Sequence, residues 1–257
     1  MSSSREAAAV AARSASLSRL GLSPVSFFAM VMGLTGFAIA VQRAETILGL
    51  PSGTGRILGS IATGIFVLIA ALYTLKLLRY RDEVVKELAH PIKLSFSPAM
   101  SIGLILLSIA LHSVSPKLTF ALLAVGASAQ LLLTLFVLSR WITHAVFEIQ
   151  HFNSSWFIPV VGNILVPLAA VDHGLTEIAW FFFSVGLVLW LVLPTIVLNR
   201  VIFHNPLPAK LAPTFFILMA PPAVGFLSYV KLTGAVDGFA RVLFYTALFT
   251  ALLLLAP

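Results

Sequence analysis

Cysteine is absent, so the chain has no disulfide and no thiolate chemistry. Charge is scarce. Asp, Glu, Lys and Arg make up 10% of the 257 residues, against about 25% in a soluble domain. The long apolar runs hold none of these four residue types, and His112 sits only at the edge of one run. Intramembrane acids usually mark proton relays and ion-coupled carriers, so their absence argues against a pump with an acidic site in the membrane. Catalytic signatures are missing too. There is no phosphate-binding Gly-x-x-x-x-Gly-Lys loop, no Gly-x-Ser-x-Gly and no His-Glu-x-x-His. The reading is therefore of a non-enzyme with no catalytic residue, no metal site and no cofactor. A membrane-embedded enzyme using His144, Glu148 and His151 is the discarded alternative. Glu148 and His151 have the Glu-x-x-His spacing of dinuclear carboxylate sites, but a second set is lacking.

What the chain has is hydrophobic length: 60% of its residues are hydrophobic. Eight apolar segments follow one another: Pro24–Val41, Ile57–Thr74, Leu94–Leu111, Leu118–Ser139, Trp156–Val171, Ile178–Leu198, Leu211–Val230 and Val242–Ala256. A membrane-spanning helix needs about 20 residues, so the fifth is slightly short and the eighth clearly short. The expected class is an all-α integral membrane protein with a lipid bilayer as its solvent. The formal charge of +7 does not indicate nucleic acid, because the basic residues lie between apolar runs as juxtamembrane anchors do. Residues 1–22 are rich in Ser, Ala and Arg without a signal-peptide core, and read as a disordered cytosolic tail. The membrane domain is 23–257.

Orientation follows from Lys and Arg. Eleven of them lie in the N-terminal tail and on the same side as it: Arg5, Arg13, Arg19, Lys76, Arg79, Arg81, Lys86, Lys93, Arg140, Arg200 and Lys210. Five lie on the other side: Arg43, Arg56, Lys117, Lys231 and Arg241. This predicts a multi-pass protein of the cell inner (plasma) membrane with a cytosolic N-terminus.

Proline supplies the internal order. Pro24, Pro98, Pro159, Pro167, Pro213, Pro221 and Pro222 fall in or at the start of odd segments, while Pro194 is the one internal to an even segment. Odd segments open with small polar residues, proline and aromatics: "SPVSFF", "SFSPAM", "SSWFIP", "APTFF". The pattern is a repeated hairpin of one Pro-kinked helix and one ordinary helix. Irregular backbone at membrane depth survives where it is buried in protein or lines a wet cavity. The odd helices are therefore expected inside and the even ones outside. The prolines either serve packing alone or present helix ends to a path that accepts anions. Asn163 either bonds a neighbouring helix or lines that path, and Gly55-x-x-x-Gly59 is a weak close-packing signal. His90-Pro91 reads as a turn before the third segment.

"SPVSFFAMVMGLTGFA" (23–38), "AHPIKLSFSPAM" (89–100), "WFIPVVGNILVPLAA" (156–170) and "LPAKLAPTFFILMAPPAVGFLSY" (207–229) resemble the tellurite-resistance/C4-dicarboxylate transporter family. That family belongs to a voltage-dependent anion channel superfamily that includes the plant slow anion channels. The resemblance runs from residue 24 to the end. It implies five tandem hairpins with Pro-kinked inner helices around a central pore, assembled as homotrimers with one pore per protomer. It implies passage of small anions, such as C4-dicarboxylate, sulfite, chloride, nitrate or tellurite-related species. The runner-up is a proton-coupled dicarboxylate carrier, or a nonfunctional fragment of such a channel. By analogy Phe27, Phe28, Gly33, Phe96, Asn163, Pro167, Phe216, Pro221 and Pro222 lie on or near the pore. About eight spans, four hairpins of the implied five, are legible, so a C-terminal truncation that removes the family's ninth-helix gating phenylalanine is expected.

Overall fold

The structure, a computed structural model, describes residues 19–143, 152–204 and 209–255, excepting the side chains of 209–213. His144, Glu148 and His151, and residues 1–18 of the expected tail, lie outside the described residues. Among the described residues the chain is helical, with no strand. Eight helical spans are long and apolar enough to cross a membrane: Val25–Leu48, Thr54–Arg79, Lys93–Ala110, Pro116–Thr143, Ser154–His173, Thr176–Phe203, Thr214–Thr233 and Gly238–Leu255. The chain is an all-α integral membrane protein, as its composition requires. The eighth span starts earlier than expected because Asp237 caps it, accepting the Ala240 N–H at 2.9 Å. Residues Arg19–Leu22 of the expected tail form one helical turn.

Consecutive spans pair as antiparallel hairpins, and the odd spans also pack on one another in the order first, third, fifth, seventh. In the third and fifth spans 72% and 89% of the apolar stretch is buried, against 17%, 33%, 33% and 11% for the four even spans. The inner and outer roles thus hold for the middle of the chain. The first and seventh spans, at 28% and 22%, flank the row and are open on one face.

Each odd span begins as a 3-10 helix and then becomes α-helical, and in the third, fifth and seventh spans a proline marks the change. The 3-10 stretches are Val25–Phe27, Lys93–Phe96, Ser154–Phe157 and Ala209–Met219. The α-helices after them start at Phe28, Ala99, Ile158 and Ala220. Pro98 sits just before its α-helix, whereas Pro24 precedes the 3-10 stretch of the first span. Pro159 and Pro221 sit in the first turn, and Pro222 follows directly. Pro221 and Pro222 therefore stand where 3-10 winding gives way to α-helix, rather than in the middle of a regular α-helix. The loosened carbonyls are met locally: Ser97 Oγ donates to the Leu94 carbonyl at 2.8 Å.

Two glycines allow the hairpins to close. A Cβ at Gly55 would lie 2.5 Å from Gln42 of the first span, and one at Gly59 would lie 3.6 Å from it, so this pair is a close-packing face. Gln42 uses the contact, its amide donating to the Gly55 and Ala110 carbonyls at 3.2 and 3.1 Å.

Candidate functional site

The 3-10 openings of the odd spans gather at one end of the molecule. Lys93–Phe96 packs against Val25–Phe27 and against Ser154–Phe157, and the last packs against Ala209–Met219. Four helix N-termini thus meet there, each the positive end of its helix dipole. It is the end read as cytosolic. Ser95, Ser97, Ser154 and Ser155 are buried in these openings. The hydroxyls of Ser95, Ser154 and Ser155 have no hydrogen-bond partner.

A buried ion pair fixes the first opening. Glu87, on the connecting helix Arg81–Ala89, accepts the Val25 N–H at 2.8 Å and the Lys76 ammonium at 2.8 Å. The Tyr73 hydroxyl donates to the same carboxylate at 3.3 Å. Lys76 also donates to the Ser23 carbonyl at 2.6 Å. Lys76 and Arg200, read from sequence as loop cations, are instead the buried last turns of the second and sixth spans, at 3% and 6% exposure. Hydropathy misses them because each closes an apolar run, where an anchor and a buried cation look alike.

Deeper in, a polar network joins the third, fourth and fifth spans. Gln130 Nε2 and Asn163 Nδ2 donate to the Pro159 carbonyl at 2.8 and 2.7 Å. Both amides also donate to Thr134 Oγ1, at 3.2 and 3.0 Å. Ser101 Oγ lies 2.7 Å from Gln130 Oε1. Gly162 is obligatory beneath it, since a Cβ there would lie 2.3 Å from the Gln130 amide. Pro167 sits inside the helix and leaves the Asn163 carbonyl without its helical donor. On the next residue, Ser228 of the seventh span donates to the Ile164 carbonyl at 2.5 Å.

The nine residues expected near a pore fall into two settings. Phe27, Gly33 and Phe216 lie on exposed faces: Phe27 is 43% and Phe216 54% exposed, and no atom would meet a Cβ at Gly33 within 4 Å. Phe28 is fully buried, edge-on to Phe66 and Tyr73 of the second span at 5.8 and 5.9 Å. Asn163, Pro167, Pro221 and Pro222 are buried, and Phe96 is half-buried against the core. The Asn163 amide faces the fourth span through Thr134. Of the polar residues in these contacts, Gln130, Thr134 and Ser228 carried no sequence signal, being single polar residues in apolar runs.

At the other end, Lys231 pairs with Asp172 at 2.5 Å and ties the seventh span to the fifth. An apolar cleft of about 570 Å³ opens between the fourth, fifth and sixth spans, lined by residues such as Leu123, Val166 and Phe182. Among the described residues no three His, Cys, Asp or Glu come together to hold a metal.

Residues 23–256 match the profile of the voltage-dependent anion channels. The chain belongs to that family. It is 28% identical to an uncharacterized transporter of Methanocaldococcus jannaschii, over 80% of this chain and 64% of the relative. It is 28% identical to the S-type anion channel SLAH3 of Arabidopsis thaliana, over 88% of this chain and 37% of the relative. It is 25% identical to the tellurite resistance protein TehA homolog of Haemophilus influenzae, over 86% of this chain and 67% of the relative. The chain thus spans between about a third and two thirds of the length of these relatives. The matched residues include all four 3-10 openings of the odd spans.

Proposed function

We propose that the chain conducts or exports small anions along a path bounded by its odd spans. The observation that carries this reading is the meeting of four inner-span N-termini, with buried hydroxyls, at one end. Such an end attracts anions without a charged side chain in the path. The absence of any acid in the apolar core of the spans supports it. Among the described residues the two buried acids, Glu45 and Glu87, lie at span ends and are engaged, Glu45 by the Gly53 and Gly55 N–H groups and Glu87 by Lys76. Neither is a free proton carrier, which disfavours the proton-coupled dicarboxylate alternative.

In this reading Phe27, Gly33, Phe96 and Phe216 border the path. Phe28, Asn163, Pro167, Pro221 and Pro222 shape it from behind. The homotrimer, the plasma membrane and the cytosolic N-terminus belong to the same proposal, as do C4-dicarboxylate, sulfite and tellurite-related species among the anions. The test is anion efflux from proteoliposomes holding the full chain. Nitrate and chloride efflux above empty vesicles, with a potential set by the anion gradient, is the expected result. Flux that requires a proton gradient would overturn the channel reading.

A further inference from the structure

Arg200 is the one buried cation in the described residues without a carboxylate partner. The other, Lys76, is paired with Glu87. Arg200 closes the sixth span and is 6% exposed. Its Nη1 donates to the Phe152 carbonyl, and its Nε has no partner. Burial of a guanidinium against a lone carbonyl leaves most of its charge uncompensated. An anion is the usual remedy, and the Nε edge of arginine suits two oxygens of one oxyanion.

The surroundings supply further donors. Phe152 immediately precedes the opening of the fifth span, and the 3-10 stretch Ser154–Phe157 packs on the sixth span. The Ser154 and Ser155 side chains are fully buried in its first turn, and neither hydroxyl is bonded. That turn is also the N-terminal, positive end of a continuous helical run through Ala170. A guanidinium beside a positive helix end is an unfavourable pair by itself, and an anion between them makes it a favourable one.

We propose that Arg200, Ser154 and Ser155 form a binding site for a small oxyanion at the opening of the fifth span. The ligand class is a planar or tetrahedral oxyanion with two oxygens for the arginine edge and one for a serine hydroxyl. The site stands independently of conduction. A chain that binds there and does not conduct would refute the function proposed above and leave the site intact.

The test is equilibrium binding of nitrate to the purified full chain in detergent. It is read as thermal stabilisation at constant ionic strength, with fluoride as the balancing anion. A ligand that binds only the folded state raises stability saturably with concentration. The expected result is a saturable rise for wild type and an affinity at least tenfold weaker in R200Q. Partial retention in R200K and weakening by several-fold in S154A/S155A complete the expectation. Folding of each variant is checked by its melting in fluoride alone; if R200Q does not fold, S154A/S155A and R200K carry the test. The proposal fails if wild type shows no saturable rise, or if these variants titrate like wild type. It also fails if E148Q binds nitrate at least tenfold more tightly than wild type, since Arg200 would then answer to a carboxylate of the chain.

Discussion

Substituting Glu87 by Gln tests how the first inner span is held. The carboxylate is 5% exposed and receives three donors: the Val25 N–H, the Lys76 ammonium and the Tyr73 hydroxyl. Glutamine keeps an acceptor for Val25 but leaves the Lys76 charge, 3% exposed, with the Ser23 carbonyl and the Tyr73 ring face and no counter-charge. Breaking a buried ion pair by removing one partner costs about 3–5 kcal/mol, because the remaining charge stays desolvated. E87Q and K76M are each expected to lose that amount. The double variant K76M/E87Q removes both charges and is expected to recover much of the loss, with a coupling energy above about 2 kcal/mol. Equilibrium unfolding in detergent gives all three differences. Single variants losing under about 1 kcal/mol, or a double variant whose loss equals the sum, would refute the claim that the pair is dry and coupled.

Other expectations follow from packing and titration. Gly162→Ala drives a methyl into the Gln130 amide and is expected to cost at least about 1–3 kcal/mol in the same unfolding assay, with part of the loss recovered in G162A/Q130A. Pro221→Ala and Pro222→Ala are expected to change stability by under about 1 kcal/mol, since both prolines stand where 3-10 winding passes into α-helix and interrupt no regular α turn; a loss several times larger would show that the double proline shapes more than this junction. Asp237, outside the spans, is held below the usual carboxylate range by the Ala240 N–H and then by the Tyr229 hydroxyl. Its stabilisation of the eighth span is present above the ordinary Asp range and is lost as pH falls through the lowered value. Hydrogen-exchange protection factors at Ala240 and Arg241 should therefore fall on acidification in wild type and already be low in D237N.

The membrane class, the number of spans and the inner and outer alternation were legible because each rests on a long pattern. Apolar length reports the bilayer, and proline placement reports where regular helix is abandoned. The nature of that abandonment was not legible. A proline looks the same in a row of letters whether it bends a helix or begins one, and only backbone hydrogen bonding tells that Pro221 follows eleven residues of 3-10 helix. The buried pair Lys76–Glu87 was hidden for a related reason. Its members come from a span end and a connecting helix, and nothing in the spacing says that the connecting helix folds back against Val25. Asn163 was recognised as polar at depth, but its partner Thr134 lies on another hairpin. Which of its neighbours it faces is a tertiary fact.

The 3-10 stretch Ala209–Met219 carries a consequence in length. A 3-10 helix rises about 2.0 Å per residue and an α-helix about 1.5 Å. Over eleven residues the difference comes to about 5 Å, roughly one α-helical turn. The seventh span thus reaches farther than its residue count would carry it as an α-helix. Rewinding that stretch would draw Ala209 toward the membrane by a full turn without moving Ser228 from the Ile164 carbonyl. The seventh span is a strut whose length is set by its winding.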